Sequence, residues 1–462
     1  MFVRHGALAS GFASAADTPL QIGTAPKCTD EAIDPQSKPA CTVAMKIALI
    51  GSGGREHALY WKLKQTASEV HVFPGNAGIP AADRRKEPSY GSDFGALKEY
   101  LISNKYELVV VGPEQPLVDG IADSLEGSIP VFGPKASAAR IEGSKEWAKY
   151  FMQKYRIPTA RSIACETVEE GYEALEQMPS PYVVKADGLA AGKGVTVTNS
   201  IKEARHAIHD CLERKVFGDS GNTVIVEEFL KGKEASVFAL CDGKRAVPFR
   251  AARDHKRAHD GDAGPNTGGM GAVTPVEYIS DNLMARIQKE VLDRAMNGFR
   301  EEGCAYRGLL YAGLMIDGDK VSVVEFNCRF GDPETQALLP VLDEDLAALF
   351  LQCATGDLQV DRLRFMDLSS IIVVVAADGY PGSYKKGLDM TPLMQTETEQ
   401  DLLVFHAGTE MENDKVVSTG GRIAGVVASG RSVADARSRA YALLQSKPVD
   451  GTFYRKDIGS LS

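Results

Sequence analysis

Long apolar runs, paired cysteines and an excess of basic residues are all missing from this chain of 462 residues. Its most apolar stretch, Ile371 to Ala377, is strand-sized and falls well short of the ~18–20 residues of a membrane-spanning helix, which argues against a membrane enzyme. The eight cysteines, at 28, 41, 165, 211, 241, 304, 328 and 353, form no CxxC pair and no zinc-ligand spacing, so free thiols in a reducing cytoplasm are expected. Cys328 has no accompanying His and reads as a small buried hydrophobe rather than a nucleophile. Lys and Arg number 52 against 62 Asp and Glu, a formal charge of −10, and the basic stripe of a nucleic-acid binder is lacking. Anionic substrates would have to be met by local cations. No repeat period points to a solenoid.

The length suggests about three or four domains or subdomains. Residues 1–44 carry no sustained period and read as a tail outside the fold, either a targeting segment or an extension. From Met45, KIALIG followed by Gly51-Ser52-Gly53-Gly54 and REHALYWKLKQ predicts a strand, glycine turn and helix. Further strands at Val70–Phe73, Leu108–Val111 and Val131–Phe132, with a helix over Phe94–Asn104, predict a doubly wound parallel sheet over 45–146. A helix over Ser144–Tyr155 leads into a second region, 147–365, in which 160–235 has the strands and charged helix of a small lid. In the rest of that region, strands are expected at Ser236–Cys241, Leu309–Asp317 and Lys320–Asn327, and helices over Asp281–Glu301 and Asp343–Ala354. A small α+β domain over 366–462 closes the chain, with a helix opened by Ser432 and Asp435.

Five constellations carry chemistry. Gly51, Gly53 and Gly54 leave room for an anion at a helix N-terminus, with Arg55 and His57 available to add charge; a purely structural tight turn is the alternative. The turn is not GxGxxG, because Arg55-Glu56 stand where the third glycine should follow, so nicotinamide binding is disfavoured. Lys185, ending a buried strand beside the Gly192-Lys193-Gly194 loop, suits neutralisation of nucleotide phosphates, and no Walker A spacing is present. Glu227, Glu228, Phe229 and Leu230, with Glu234 beyond, offer a strand end for a base edge and a carboxylate for ribose, or simply solvated charges. Asp254-His255-Lys256-Arg257 leads into Gly264-Pro265-Asn266-Thr267-Gly268-Gly269-Met270-Gly271, a loop whose amides could face a substrate. Finally, Glu325 and Asn327, two apart on an apolar strand, project from one face as hard oxygen donors for magnesium, with Arg329 next in line if the strand continues.

In this order and spacing, the chain resembles the ATP-grasp superfamily. Within it, IGSGGREHAL at 50–59, GPEQPLVDG at 112–120, VKADGLAAGKGV at 184–195, DHKR at 254–257, GPNTGGMGA at 264–272 and EFNCRFGDPETQ at 325–336 are similar to the glycinamide ribonucleotide synthetases. The resemblance implies an N-terminal Rossmann-like domain, an ATP-grasp domain with its lid, and a small C-terminal domain. It implies ligation of glycine to 5-phosphoribosylamine through glycyl phosphate, with ATP as co-substrate and Mg2+ or Mn2+ as cofactor. Carried over, it assigns adenine to Glu227, Glu228, Phe229 and Leu230, ribose to Glu234, and the phosphates to Lys145, Lys185, Arg257 and Asn266. The metal falls to Glu325 and Asn327, the small substrates to Gly53, Gly54, Gly268 and Gly269, and transition-state charge to Arg329. Ala263 departs from the family pattern, which often has threonine or glycine there. Another ATP-grasp carboxylate–amine ligase or carboxylase, and a nucleotide-binding regulator without turnover, are the competing readings; intact Glu325 and Asn327 weigh against the second.

Overall fold

A computed structural model describes residues 43–189, 194–396, 399 and 401–460. The tail expected over 1–44 lies almost wholly outside these residues, as do Gly192 and Lys193 of the expected lysine loop.

The first strand runs from Val43 to Gly51, and its alternation decides how the molecule is layered. Ala48 and Ile50 enter one apolar core, while Ile47 and Leu49 enter another, as a strand covered on both faces requires. Leu108–Val111 divides its side chains in the same way. Both belong to a parallel sheet in the order Ala67–Pro74, Val43–Gly51, Leu108–Val111, Val131–Phe132, as the sequence predicts. The glycine turn opens the helix Gly54–Leu63 directly after the first strand.

A second, antiparallel sheet is built from Ala246–Pro248, Lys233–Asp242, Arg307–Asp317 and Lys320–Asn327 in that order. Phe238 and Leu240 share a core with the parallel sheet, whereas Val237, Ala239 and Cys241 face the other side. The helix expected over Asp281–Glu301 is present, with a π-helical turn at Gln288–Leu292 between two α-helical halves. The lid forms a separate antiparallel sheet, Ser162–Cys165, Val224–Glu228, Tyr182–Ala186 and Val195–Thr198, over its own small core.

The last sheet contains an arrangement that local pattern does not foretell. Its strands Ser369–Ala377, Arg422–Gly430 and Leu402–His406 come from the C-terminal region, but Gly271–Thr274 joins them, pairing Val273 with Ile371. The glycine-dense loop that precedes this strand is therefore anchored in the C-terminal sheet. Ile372 and Val374 enter the core shared with the first two sheets, while Ile371, Val373 and Val375 pack on the helix Val433–Ser446, which Ser432 caps by accepting from the Asp435 N–H. No helix among the described residues is long and apolar enough to cross a membrane.

Candidate active site

The charges of three lysines bear on one carboxylate, that of Glu325. Lys145 opens the helix Lys145–Lys154, and its Nζ lies 3.1 and 3.0 Å from the carbonyl oxygens of Asp187 and Gly188 at the end of the lid strand. Lys185, 5% exposed, comes from that strand, and Lys256 from the segment after Arg253–Asp254. Desolvation alone would raise the pKa of Glu325, but the charges of Lys256, Lys185, Lys145 and Arg329 outweigh it and hold the carboxylate below its ordinary range. Three segments distant in sequence, together with Arg329 just beyond the strand itself, thus place positive charge around the end of one strand.

Glu325 and Asn327 reach that position through an irregularity. Gly313 pairs with Glu325 and Leu314 with Val323, which leaves Val324 as a β-bulge. Before the bulge, Val321 and Val323 point into the core; after it, Phe326 and Cys328 do. Because the bulge absorbs Val324, Glu325 and Asn327 project away from the core instead of into it. Their shared face follows the prediction, but the condition attached to Arg329, that the strand continue, is not met, because pairing stops at Asn327. Arg329 nonetheless stays close, with Nη2 3.4 Å from Asn327 Oδ1. Glu142 at 2.9 Å and Glu114 at 3.2 Å grip its guanidinium. Burial opposes its charge, yet these two carboxylates keep its pKa above the ordinary value. Cys328 is buried as expected, its N–H donating to Glu142 Oε2 at 2.7 Å, and burial pushes its thiol pKa up.

At the lid strand Val224–Glu228, Glu227 is 3% exposed and takes Lys185 at 3.0 Å and Lys149 at 3.2 Å on the same oxygen, Oε2. Its other oxygen, Oε1, is buried and has no hydrogen-bond partner. A buried acceptor left open is costly unless a ligand completes it. The Glu228 N–H donates to Arg161 O at 3.0 Å, and Phe229 stands 40% exposed beside it. Leu230 follows, half-buried, and exposed Glu234 holds Lys256 Nζ at 2.9 Å. Arg257 and Asn266 are paired across a two-stranded hairpin, Arg257 exposed and donating to Gly264 O at 2.7 Å.

The glycine segments expected to receive the small substrates depart from expectation. Glu56, rather than an open cradle, fills the glycine turn: a Cβ on Gly51 would lie 2.6 Å from its Cγ, and one on Gly112 would lie 2.0 Å from its Oε1. The Gly53 N–H donates to Glu56 Oε2 at 2.5 Å, and a Cβ on Gly54 would meet Gln336 Nε2 at 2.7 Å. Arg55 is not a free charge, because it is buried, donating to Glu56 at 2.6 Å and to Phe330 O at 3.0 Å. His57 is neutral: desolvation and His406 lower its pKa to about 3, and its Nδ1 accepts the His406 N–H at 2.9 Å. The Gly268 and Gly269 amides are also occupied, donating to Tyr380 OH at 3.1 Å and to Thr267 Oγ1 at 2.9 Å.

Four participants escaped the sequence reading. Lys149 carried a usable signal, since it stands one helical turn from Lys145 and must share its face. Glu114 and Glu142 carried none, because their common partner, Arg329, is remote in the chain. Glu334 lies buried in the quoted motif, accepting from Ser236 at 2.9 Å and Tyr311 at 2.8 Å. Near it, desolvation raises the Asp254 carboxyl to about 7.

Comparison with known proteins extends this picture. The chain matches "Phosphoribosylglycinamide synthetase, N domain" over residues 45–142, the "ATP-grasp (A) domain" of the same family over 143–335, and its "C domain" over 370–461. It is 46% identical over 423 residues to a phosphoribosylamine–glycine ligase of Leptospira interrogans, covering 90% of this chain and 99% of that one. The corresponding enzyme of Escherichia coli O157:H7 is 44% identical over 421 residues, covering 90% and 98%. Among solved structures, a phosphoribosylamine–glycine ligase from Thermotoga maritima aligns with a TM-score of 0.78 and 35% identity, covering 89% of this chain and 100% of that one. A biotin carboxylase from Campylobacter jejuni, at a TM-score of 0.67 and 15% identity, covers 90% and 94% and shares the fold.

Proposed function

The chain belongs to the phosphoribosylglycinamide synthetase family, and from that premise we propose that it ligates glycine to 5-phosphoribosylamine, converting ATP to ADP and phosphate. The product is glycinamide ribonucleotide, an intermediate of purine biosynthesis. The observation that carries the reading is the convergence of Lys145, Lys185 and Lys256 on Glu325, beside Asn327 and Arg329.

Adenine lies against Glu227–Leu230 in this reading, its exocyclic amine donating to the unpartnered Oε1 of Glu227. Glu234 takes the ribose, and Lys145, Lys185, Arg257 and Asn266 take the phosphates. A carboxylate paired with an amide oxygen fits a hard divalent cation that keeps other positions for phosphate and water. Magnesium or manganese held by Glu325 and Asn327 would neutralise charge on the transferring phosphoryl group. The lysines hold the γ-phosphate in line with a glycine carboxylate oxygen; that oxygen bonds to phosphorus as the bond to the ADP oxygen breaks. Arg329, fixed by Glu114 and Glu142, offsets the charge that develops. The amine nitrogen of phosphoribosylamine then attacks the glycyl carbon, phosphate leaves, and the nitrogen gives up a proton. Gly53, Gly54, Gly268 and Gly269 shape the acceptor side by letting Glu56, Gln336, Arg422 and Pro333 pack closely behind the small substrates. The six described cysteines, all buried and unpaired, support a reducing, cytoplasmic setting.

Coupled ADP release tests the proposal. ADP should form rapidly only when magnesium, glycine and phosphoribosylamine are all present, and equal release with bicarbonate replacing glycine would transfer the chain to the carboxylases.

A further inference from the structure

With Arg55 neutralised and His57 uncharged, a cation that holds the Gly268–Gly269 part of the glycine loop comes from elsewhere in the chain. Arg422 opens the C-terminal strand Arg422–Gly430 and is partly exposed, its side chain at 21%. Its Nη1 donates to Gly268 O at 2.7 Å, to Gly269 O at 3.4 Å and to Asp332 O at 2.6 Å, while Nη2 lies 3.3 Å from Asp332 Oδ2. One planar guanidinium therefore fastens the glycine loop to the segment after Phe330 by forked contacts that a lysine cannot reproduce. The contact leaves little slack: Gly269 has φ +111°, and a Cβ there would lie 2.4 Å from Pro333 Cδ. Asp332 accepts from Gln336 at 2.7 Å, and its Oδ2 would be 3.6 Å from a Cβ on Gly53. Its carboxylate thus stands between Arg422 and the glycine turn.

We infer that Arg422 is a positioning residue of the acceptor half of the site, holding the Gly268–Gly269 loop and the Asp332 carboxylate in the geometry that receives the two small substrates. The C-terminal domain thereby supplies part of the active site. This inference rests on the ligase reading. It is tested by steady-state kinetics of the full chain with R422K and R422A, varying glycine, phosphoribosylamine and ATP separately. R422K keeps the stem and the charge, so the fold should be retained. Its KM for glycine or phosphoribosylamine should rise about tenfold, the effect of losing one charge-assisted hydrogen bond, while KM for ATP stays within about twofold. R422A should lose more and recover partly in millimolar guanidinium, which a general loss of packing would not do. R422K kinetics indistinguishable from the parent, or equal rises in all three KM values, would overturn the inference. A parent chain that releases no ADP with glycine and phosphoribosylamine would instead overturn the ligase reading beneath it.

Discussion

On the proposed nucleotide side, charges are set against one another: buried Lys185 and Lys149 share one oxygen of Glu227, and the charges of three lysines bear on Glu325. On the acceptor side, the charges have been cancelled or removed. Arg55 is spent on Glu56, His57 is neutral, the loop amides are taken, and Arg422 holds the parts together from another domain. The first side is organised around charge that a polyphosphate can answer, the second around shape. Buried like-signed groups withstand this arrangement only where a partner or ligand offsets them, so the nucleotide side should respond strongly to loss of a charge.

The largest effect is expected at Glu325. E325A removes the proposed metal ligand and the carboxylate that offsets Lys145, Lys185 and Lys256, so turnover should fall roughly 10³-fold and the melting temperature should fall with it. Unchanged turnover at saturating magnesium would dissolve the charge-centred account of that side.

Next comes Lys185. K185A leaves Glu227 with Lys149 alone, and the stability loss should be about 2 kcal/mol, below the ~3–5 kcal/mol of an ion pair with no second partner. Urea denaturation gives the stability loss, and ATP titration of the folded variant should show weakened binding. A variant as stable and as tightly ATP-binding as the parent would show that the buried pair is not part of the nucleotide site.

The smallest effect sharpens the contrast from the other side. The folded-state pKa of His57 is about 3, and that of His406 about 4, both lowered first by desolvation from 6.5. The unfolded chain therefore binds more protons than the folded one between pH 6.5 and these values, so this contribution is full above pH 6.5 and is lost as pH falls. H57Q should flatten the decline in stability around pH 5 by up to one proton, about 1.4 kcal/mol per pH unit. Denaturation curves at pH 7 and pH 5 with the same offset between parent and variant would mean that His57 is protonated in the folded state.

The contrast also explains what could be seen in the sequence. A lysine ending an apolar strand and two oxygen donors two residues apart are local patterns: Glu325 and Asn327 share a face as their spacing suggested, and the charge of Lys185 bears on Glu325. The parallel sheet was equally legible, because each of its strands is a short apolar run followed by a helix. The acceptor side was not. Glycine permits close approach without saying what approaches, and Glu56 and Gln336 occupy the space beside Gly51 and Gly54. Likewise, Gly271–Thr274 is a short strand whose partner, Ser369–Ala377, lies about a hundred residues later, so only tertiary pairing could assign it to the C-terminal sheet.

The bulge at Val324 makes the metal strand a matter of counting as much as of chemistry. Side chains on a strand obey an odd–even rule, and one surplus residue reverses the rule for everything downstream. Exchanging Val324 for another β-branched residue would leave the parity alone, and deleting it would remove the bulge while Glu325 and Phe326 kept their present faces; drawing Val324 into the ladder with no residue removed is what would send the carboxylate into the apolar interior and the aromatic ring outward. The face on which the proposed cation ligands stand thus depends on the ladder passing over Val324, a residue that need not touch the cation at all.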